Sequence, residues 1–442
     1  MIDNRIDVNI AGGLDIALPK MVTVRQKFAS PRAGDLPSVI ASEFEKPEIR
    51  SRIKPGQVIA VGCGSRGIAN IATIAKSVIE GLKARGAEPF IFPCMGSHGA
   101  ATAQGQKEVL EGYGISEATM GVALRATMDT TIVGKLDDGT PVHMDANAAQ
   151  ADGIVVINRI KPHTSFRGPT ESGVTKMLSI GIGKINGATT YHQHGMDMFP
   201  TLLPKVRDVN LKERNVLFGV GIVENAYDQT AAVELIAAEE IGKREPYLQE
   251  MAKQNMPRIQ FSEVDVLVIE EMGKNISGAG FDPNVTGRNR RHVDWTSDPL
   301  VKKIVVLGLT PESHGNATGI GGADVITMRL YRDMDVGATY ANVITSMSLG
   351  GAAIPIIMNT DQDAISLAVK TVVRVKPNDC RIVRIRNTLD LAEIEVSEAM
   401  LEEVKAKPDC FRIVSPARPL AFDNDGRLVP LTRADDLEAA AG

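Results

Sequence analysis

The chain has 442 residues, a net charge of −5 and four cysteines, with hydrophobic and charged fractions of 43% and 23%. This is the composition of an ordinary globular protein, and without a basic stripe it argues against a nucleic-acid partner. No apolar run reaches about 18 residues and the N-terminus lacks a signal-peptide pattern, so we expect no membrane span and a cytoplasmic location. The cysteines form no CxxC motif, which excludes a zinc knuckle.

The first half of the chain alternates between strand and helix patterns. Short apolar runs bounded by turn residues are typical of buried strands, and apolar residues at helical spacing are typical of helices. The predicted elements are strands over 57–63, 88–93 and 153–158, helices over 68–85 and 102–112, and a strand–turn–strand over 130–145. This order with short turns indicates a mostly parallel sheet with helices on both faces.

A second α/β pattern occupies the C-terminal part of the chain. It follows a stretch with a largely helical pattern, residues 196–254, and a linker-like segment that ends at Pro257. The predicted elements beyond it are strands over 264–270 and 303–308 and helices over 338–349 and 364–373. The sequence therefore predicts two α/β domains with mostly parallel sheets, residues 1–257 and 258–442, and a peripheral tail after about residue 420.

Two glycine-rich clusters come directly after predicted strands, where α/β folds place their ligands. In the first, Gly64 and Ser65 allow close approach of a ligand to the backbone, and Arg66 adds a cation suited to carboxylate or phosphate. In the second, His98 stands among small residues and is suited to proton transfer near neutral pH. By itself, each cluster is equally typical of a turn that leads into a helix.

A polar segment runs from His163 to Lys176, after the predicted strand over 153–158. A loop of this length inside a compact fold is usually functional or disordered, and its histidine, arginine, glutamate and lysine content favours function. We predict that Arg167 and Glu171 of this segment contact a polar substrate.

His192 and His194 are two positions apart and form a possible metal-binding pair. On a strand the two side chains would share a face, whereas on a helix they would diverge. Catalytic zinc requires three protein ligands, and no third ligand stands at a standard spacing. These residues taken alone therefore indicate either a surface histidine pair or an incomplete metal site.

As an ordered set, these clusters resemble the motifs of the nickel-pincer nucleotide family, whose founding activity is lactate racemase. The family has a Thr-Arg segment, a Gly-x-His-Arg segment, a Pro-His loop, a lysine after a glycine-rich run, and a further histidine. The matching positions here are Ser65-Arg66, Gly96-Ser97-His98, Pro162-His163, Lys176 and His192. In the second domain Asp282-Pro283-Asn284 resembles the family's Asp-x-Asn segment, and Arg290 takes the place of a nearby cation.

Three positions depart from the family pattern. Cys63 replaces an aspartate, Gly99 replaces the arginine of Gly-x-His-Arg, and the segment from His163 to Lys176 is three residues longer. These departures leave the substrate and the shape of its pocket open.

The resemblance implies a pyridinium mononucleotide that binds nickel through sulfur, carbon and sulfur. It implies covalent attachment of this cofactor at Lys176, contacts with Gly64, Ser65 and Gly173, and His192 as the fourth nickel ligand. A planar site with soft donors and one imidazole suits nickel(II). We expect the cofactor to be absent from recombinant protein made without the enzymes that synthesise it.

The resemblance also implies an isomerase: a racemase or epimerase of a 2-hydroxy acid that is lactate-like, malate-like or a sugar acid. His98 and His163 would be the two acid/base residues, and Arg66 and Arg290 would bind the substrate carboxylate. The active site is expected in the cleft between the domains, and the oligomeric state stays open. Two alternatives are a metal-free enzyme on the same scaffold and a hydroxy-acid-binding regulatory protein without turnover.

Overall fold

The computed structural model describes residues 5–65, 67–289 and 298–431. The chain forms two compact units, which are described separately. The first, here called the central unit, is Ala29–Met256, and the second, called the split unit, combines Met1–Phe28 with Pro257–Gly442. No helix within the described ranges is both long and apolar enough to cross a membrane.

Strands and helices alternate along most of the described chain. The strands are β1 Met21–Gln26, β2 Val58–Cys63, β3 Glu88–Pro93, β4 Thr130–Lys135, β5 Pro141–Asp145, β6 Gly153–Arg159, β7 Val216–Glu224, β8 Thr230–Ala237, β9 Glu263–Met272, β10 Leu300–Leu309, β11 Val325–Thr327, β12 Ile356–Met358, β13 Ile382–Ile385, β14 Glu393–Ser397 and β15 Phe411–Ile413. The helices are α1 Leu36–Phe44, α2 Pro47–Arg50, α3 Ile71–Lys83, α4 Ala103–Gly112, α5 Glu117–Met120, α6 Ala146–Ala149, α7 Val174–Lys176, α8 Lys184–His192, α9 Phe199–Glu213, α10 Ile241–Asn255, α11 Pro283–Thr286, α12 Met328–Asp333, α13 Val336–Thr345, α14 Asp361–Lys370 and α15 Leu401–Ala406. A π-helical turn, Met177–Gly181, directly follows α7.

The central unit is built on a five-stranded sheet in the order β3-β2-β6-β7-β8. Its first four strands are parallel, and β8 pairs antiparallel with β7. Strands β4 and β5 form a separate antiparallel hairpin. The order reverses at β2, because the chain passes first to β3 on one side and later to β6 on the other side. Ligands of such sheets bind at the carboxyl ends of the strands, at this kind of reversal.

Helices cover both faces of this sheet because successive strand residues point to opposite faces. On one face, Ile74, Val78 and Leu82 of α3 are fully buried and share an apolar cluster with Val61 and Val155. Their four-residue spacing places them on one side of the helix. The opposite face is covered by α7, the π-helical turn and α10. The predicted fold class, α/β with mostly parallel sheets, is confirmed.

The split unit is built on an eight-stranded sheet in the order β12-β11-β10-β9-β13-β14-β1-β15. Its five strands from β12 to β13 are parallel, and the pairings of β14, β1 and β15 are antiparallel. Strand β1 comes from the N-terminus, so residues 1–28 belong with the C-terminal part of the chain and not with residues 29–256. The prediction of one continuous domain over 1–257 therefore needs correction at its start, because pairing with β14 and β15 outweighs sequence proximity.

Two further expectations are wrong. Residues 196–254, predicted to be largely helical, contain β7 and β8 between two helices. Strand β7 is buried along nearly its whole length, so it lacks the alternation that distinguishes a strand from a buried helix. The tail after residue 420 is not merely peripheral. Leu428 is buried and its amide donates to Asp361 at 2.9 Å, while the amide of Leu431 donates to Glu270 at 3.1 Å.

The substitution Val24→Ala tests the place of β1 in the split unit. Val24 is fully buried between β14 and β15, so we expect a loss of about 2 kcal/mol in the free energy of unfolding. Hydrogen exchange should become faster in β14 and β15 and stay unchanged in β2 and β6. Val8→Ala, at a position 41% exposed, is the matched control. Faster exchange confined to the central unit would contradict this assignment of β1.

Candidate active site

Three of the predicted clusters follow three neighbouring strands of the central unit. Ser65 follows β2, His98 follows β3 and His163 follows β6. Strand β2 lies between β3 and β6 and runs parallel to both, so the three clusters leave the same edge of the sheet. This edge is also where the strand order reverses, which is the expected position of a ligand site in an open α/β sheet.

The segment that carries His98 is held by hydrogen bonds to its neighbours. The Ser65 hydroxyl bonds to Nδ1 of His98, and the carbonyl of Ser65 accepts from the Tyr113 hydroxyl at 2.9 Å. The side-chain amide of Gln106 donates to the carbonyls of Gly96, at 2.8 Å, and His98, at 3.2 Å. Because Nδ1 is engaged by Ser65, proton exchange between His98 and a ligand would use Nε2.

A buried lysine, Lys184, stabilises the position of this segment through hydrogen bonds. The ammonium of Lys184 donates to the carbonyl of Pro93 and, at 2.9 Å, to Gln106, and it lies 3.1 Å from the carboxylate of Asp145. Both charged side chains are fully buried. Burial raises the pKa of Asp145, and Lys184 opposes this rise. The sequence did not indicate Lys184, because lysine is rarely buried and its three acceptors come together only in the folded chain.

The segment from His163 onward is ordered around one buried carboxylate. Glu171 accepts hydrogen bonds from the amides of His163, at 2.8 Å, and Gly168, at 3.3 Å. It also lies 3.2 Å from the ammonium of Lys253 and 3.4 Å from the guanidinium of Arg167. The prediction that Glu171 contacts substrate is therefore wrong, because its side chain has no exposed surface and organises the segment internally. For Arg167 it stays a prediction.

An aromatic chain connects His163 to His192. Ring centroids are 4.5 Å apart for His163 and Phe166, 5.5 Å for Phe166 and Phe199, and 5.1 Å for Phe199 and His192. Nδ1 of His163 accepts a hydrogen bond from the amide of Ser165 at 3.1 Å. The neutral ring of His163 therefore carries its proton on Nε2. The two candidate residues belong to one packed cluster.

His192 is the last residue of α8, and its ring is held in one tautomer. Nδ1 donates to the carbonyl of Ala188 at 2.6 Å, so the neutral ring has its lone pair on Nε2. Burial lowers the pKa of His192, and the positive charge of Lys176 lowers it further. His194 instead bonds to Thr140 at 3.3 Å. His194 lies in the turn after α8, so the two imidazoles have different partners and form no chelating pair.

Gly64 and Gly173, two predicted cofactor contacts, are linked through one side chain. A side chain at Gly64 would lie 3.0 Å from Oδ1 of Asn158, and the amide of Asn158 donates to the carbonyl of Gly173 at 3.3 Å. Gly173 has φ +84° and packs directly against Ile160 and the carboxylate of Glu245. Both its backbone conformation and its lack of space therefore require glycine.

Glu245 is a buried residue beside Lys176 that the sequence did not indicate as functional. Its carboxylate accepts from the amide of Thr175 at 3.0 Å and from the Thr175 hydroxyl, which also accepts from Arg207 at 3.1 Å. Burial raises the pKa of Glu245 to about 7, although these hydrogen bonds oppose the rise. A buried carboxyl thus contacts the residue that precedes the candidate attachment lysine.

A sequence signal for Glu245 does exist. In α10 the buried residues follow one stripe, and two of them, Glu245 and Gln249, are polar. They share this stripe with Ile241, Leu248 and Ala252. Polar residues at core positions of a helix usually have a specific partner, so this stripe could have marked a contact with the polar segment.

Two departures from the family pattern have structural explanations. Gly99 has φ +64°, and a Cβ there would lie 2.5 Å from the backbone nitrogen of Gln106, so the backbone excludes an arginine side chain. Cys63 is fully buried, and burial raises the pKa of its thiol to about 12, so the thiol stays protonated.

Arg66 and Arg290, predicted to bind a carboxylate, lie outside the described residues, and their roles stay predictions. Within the described ranges, no group of three histidine, cysteine, aspartate or glutamate side chains is arranged to hold a metal ion. A metal bound there by His192 would therefore need further donors from elsewhere.

Residues 35–253, nearly all of the central unit, match the profile of the lactate racemase N-terminal domain. The chain belongs to the lactate racemase-like family. This membership implies an isomerase of the racemase class at the level of the family. No curated protein matches the chain.

Two solved structures are similar to most of the chain at low identity. The lactate racemase apoprotein of Thermoanaerobacterium thermosaccharolyticum is 12% identical, with 83% of this chain and 94% of that chain covered and a TM-score of 0.48. A protein from Thermotoga maritima is 14% identical, with 80% and 96% covered and a TM-score of 0.49. Both are too distant to assign roles to individual residues of this family member.

Glu245→Gln tests the charge state of the buried carboxyl. The folded-state pKa of about 7 lies above the ordinary value of 4.5, so proton binding favours the folded chain. This contribution is fully present below the ordinary pKa and is lost as the pH rises through about 7, an effect of at most about 3 kcal/mol. In urea unfolding we expect the stability of the wild type, relative to Glu245→Gln, to fall between about pH 5 and pH 8. A difference independent of pH would contradict this ionisation.

Proposed function

We propose that this protein is a racemase or epimerase of a 2-hydroxy acid that uses a nickel-pincer nucleotide attached to Lys176. The observation that carries this proposal is the state of His192. Its Nδ1 is bonded to a backbone carbonyl, its pKa is lowered by burial, and the neutral ring offers Nε2 as a donor. A histidine fixed in this way by a hydrogen bond on its other nitrogen is the usual form of a metal ligand.

The residues around His192 fit the proposed cofactor. The proposed cofactor brings three donors of its own, so the chain needs to supply only one imidazole, that of His192. Lys176 is half-buried and close enough to affect the pKa of His192. The proposed attachment point and the proposed imidazole donor therefore influence each other electrostatically. Lys176 would hold the nucleotide and His192 would complete the coordination of nickel.

When bound, the cofactor would supply reversible hydride transfer at the hydroxyl-bearing carbon of the substrate. Side chains of the protein would transfer the proton of the substrate hydroxyl. His98, with Nδ1 engaged by Ser65, would accept or return a proton through Nε2. His163 holds its proton on Nε2 and would donate it towards a substrate oxygen. Two histidines are required because the two configurations present their hydroxyls in mirror-related positions.

The substrate is proposed to be a free small acid rather than a macromolecule. Arg66, next to Ser65 in the chain, and Arg290 would bind its carboxylate through their guanidinium groups. Lactate-like, malate-like and sugar acids share this carboxylate and the adjacent hydroxyl. A panel of such acids, assayed for interconversion of configuration by chiral chromatography, would identify which one is turned over.

The proposal predicts a specific pattern of cofactor loss. The protein is expressed with the cofactor-making enzymes, and its intact mass and nickel content are measured. We expect a mass excess that maps to Lys176 and stoichiometric nickel in the wild type. Lys176→Ala should lose both, because the attachment point is removed. His192→Ala should lose nickel and keep the added mass, and His194→Ala is the matched control that should keep both.

Other outcomes would favour the alternatives. An unmodified, nickel-free chain from cells that load a known lactate racemase would contradict the proposal. Turnover of a hydroxy acid by that unmodified chain would then favour a metal-free enzyme. Binding of the acid without turnover would favour a hydroxy-acid-binding regulatory protein.

His98→Ala and His163→Ala test the acid/base assignment. Each should lower kcat by about 10²- to 10⁴-fold, because a positioned acid or base contributes an effect of this size. The mass at Lys176 and the nickel content should stay at wild-type levels, since neither residue is proposed to bind the metal. His143→Ala, a third histidine of the same unit, serves as the control. Wild-type kcat in either variant would remove that residue from the mechanism.

A further inference from the structure

Helix α10 directs one polar stripe towards the segment from His163 to Lys176. Glu245, Gln249 and Lys253 are four residues apart, so they lie above one another on the same side of the helix. The first two are almost fully buried, at 0% and 1% exposure. A buried polar side chain is expensive unless it is satisfied by a partner, so the partners of this stripe indicate its purpose.

Each of the three side chains has a partner in the polar segment. The ammonium of Lys253 lies 3.2 Å from the carboxylate of Glu171, and the side-chain oxygen of Gln249 accepts from the amide of Glu171 at 3.5 Å. Glu245 accepts from the amide of Thr175 at 3.0 Å. The stripe thus contacts the segment in its middle and again at the residue directly before its end.

The contact at Thr175 replaces a missing helix cap. Helix α7 has only three residues, and Gly173 at its N-terminal boundary has no side chain to accept from the first amides. The carboxylate of Glu245 takes this role from another helix. Since the site is closed to water, a hydrogen bond between a carboxylate and an amide is strong there.

Neighbouring groups leave little freedom for a different arrangement. Gly173 packs against Glu245 and Ile160 without room for a side chain. Arg207 donates to the Thr175 hydroxyl at 3.1 Å, and that hydroxyl also bonds to Glu245. Thr175 is therefore held through both its backbone and its side chain, and Lys176 follows it directly in the chain.

We propose that Glu245 is a positioning residue that fixes Thr175 and thereby presents the amine of Lys176 in one orientation for covalent attachment. This inference rests on the proposed function only in the identity of the group attached to Lys176. The reactivity of the Lys176 amine, which depends on its orientation, can be measured in the chain without cofactor.

The first experiment uses the full-length chain expressed without the cofactor-making enzymes. Hydrogen exchange of the Thr175 amide and the acetylation rate of Lys176 by an N-hydroxysuccinimide ester are measured, with the exposed Lys212 as internal reference. We expect Glu245→Gln to accelerate exchange at Thr175 by about tenfold and to change the relative acetylation rate of Lys176. The matched control is Glu250→Gln, the same substitution on the exposed face of α10.

A second pair of variants guards against a folding defect in Glu245→Gln. Thr175→Val keeps the shape of the side chain and removes the hydroxyl that bonds to Glu245, and Thr175→Ser restores that hydroxyl. We expect Thr175→Val to alter Lys176 acetylation in the same direction as Glu245→Gln, and Thr175→Ser to return it towards the wild-type rate. A merely structural role would not produce this recovery. Equal rates in Glu245→Gln, Thr175→Val and wild type would overturn the proposal.

The loading experiment separates this inference from the proposed function. With the cofactor-making enzymes present, Glu245→Gln should carry the mass at Lys176 in a smaller fraction of chains than Glu250→Gln. Full loading of Glu245→Gln at the wild-type rate would overturn the positioning role. If no variant and no wild-type chain is loaded, the proposed function fails. The acetylation and exchange rates of the unloaded chain then decide the role of Glu245 on their own.

Discussion

The parallel pairing of β2 with β3 on one side and β6 on the other is the constraint on which the candidate site depends. It makes three chain segments end at one sheet edge, and it brings Ser65 within hydrogen-bonding distance of His98. The same arrangement lets the segment after β6 pack, through Phe166 and Phe199, against His192. Parallel strands need crossover connections, so residues that share this edge are necessarily far apart in sequence.

Three buried ionisable residues hold the segments that end at this edge. Lys184 ties down the segment with the first acid/base histidine, Glu171 organises the loop with the second, and Glu245 holds the residue before Lys176. Removing one partner of such a buried charge typically costs about 3–5 kcal/mol, because the other is left without compensation. Each candidate functional segment is therefore held in place by specific contacts with a buried polar side chain. At these positions the polar side chain takes the place of an apolar core residue.

The split unit shows how distant parts of the chain complete one sheet. Strand β1 pairs with β14 and β15. Near the other end, the amide of Leu428 donates to Asp361 of α14, and the amide of Leu431 donates to Glu270 of β9. Both ends of the described chain are thus fastened to the same unit. Buried backbone groups must find hydrogen-bond partners, and here strand pairing and acidic side chains provide them for both segments.

The sequence by itself determined the fold class, most of the central strands within a residue or two, and the identity of the clustered polar residues. Apolar period and glycine punctuation are local properties, so they can be read without a structure. Only the tertiary structure decided that β7 is a strand, that β1 joins the distant C-terminal part, and that Glu171 faces inward. It also decided the tautomer of His192 and the contact of Glu245 with Thr175. These features depend on partners far away in sequence, and no local pattern records which partner a buried group will meet.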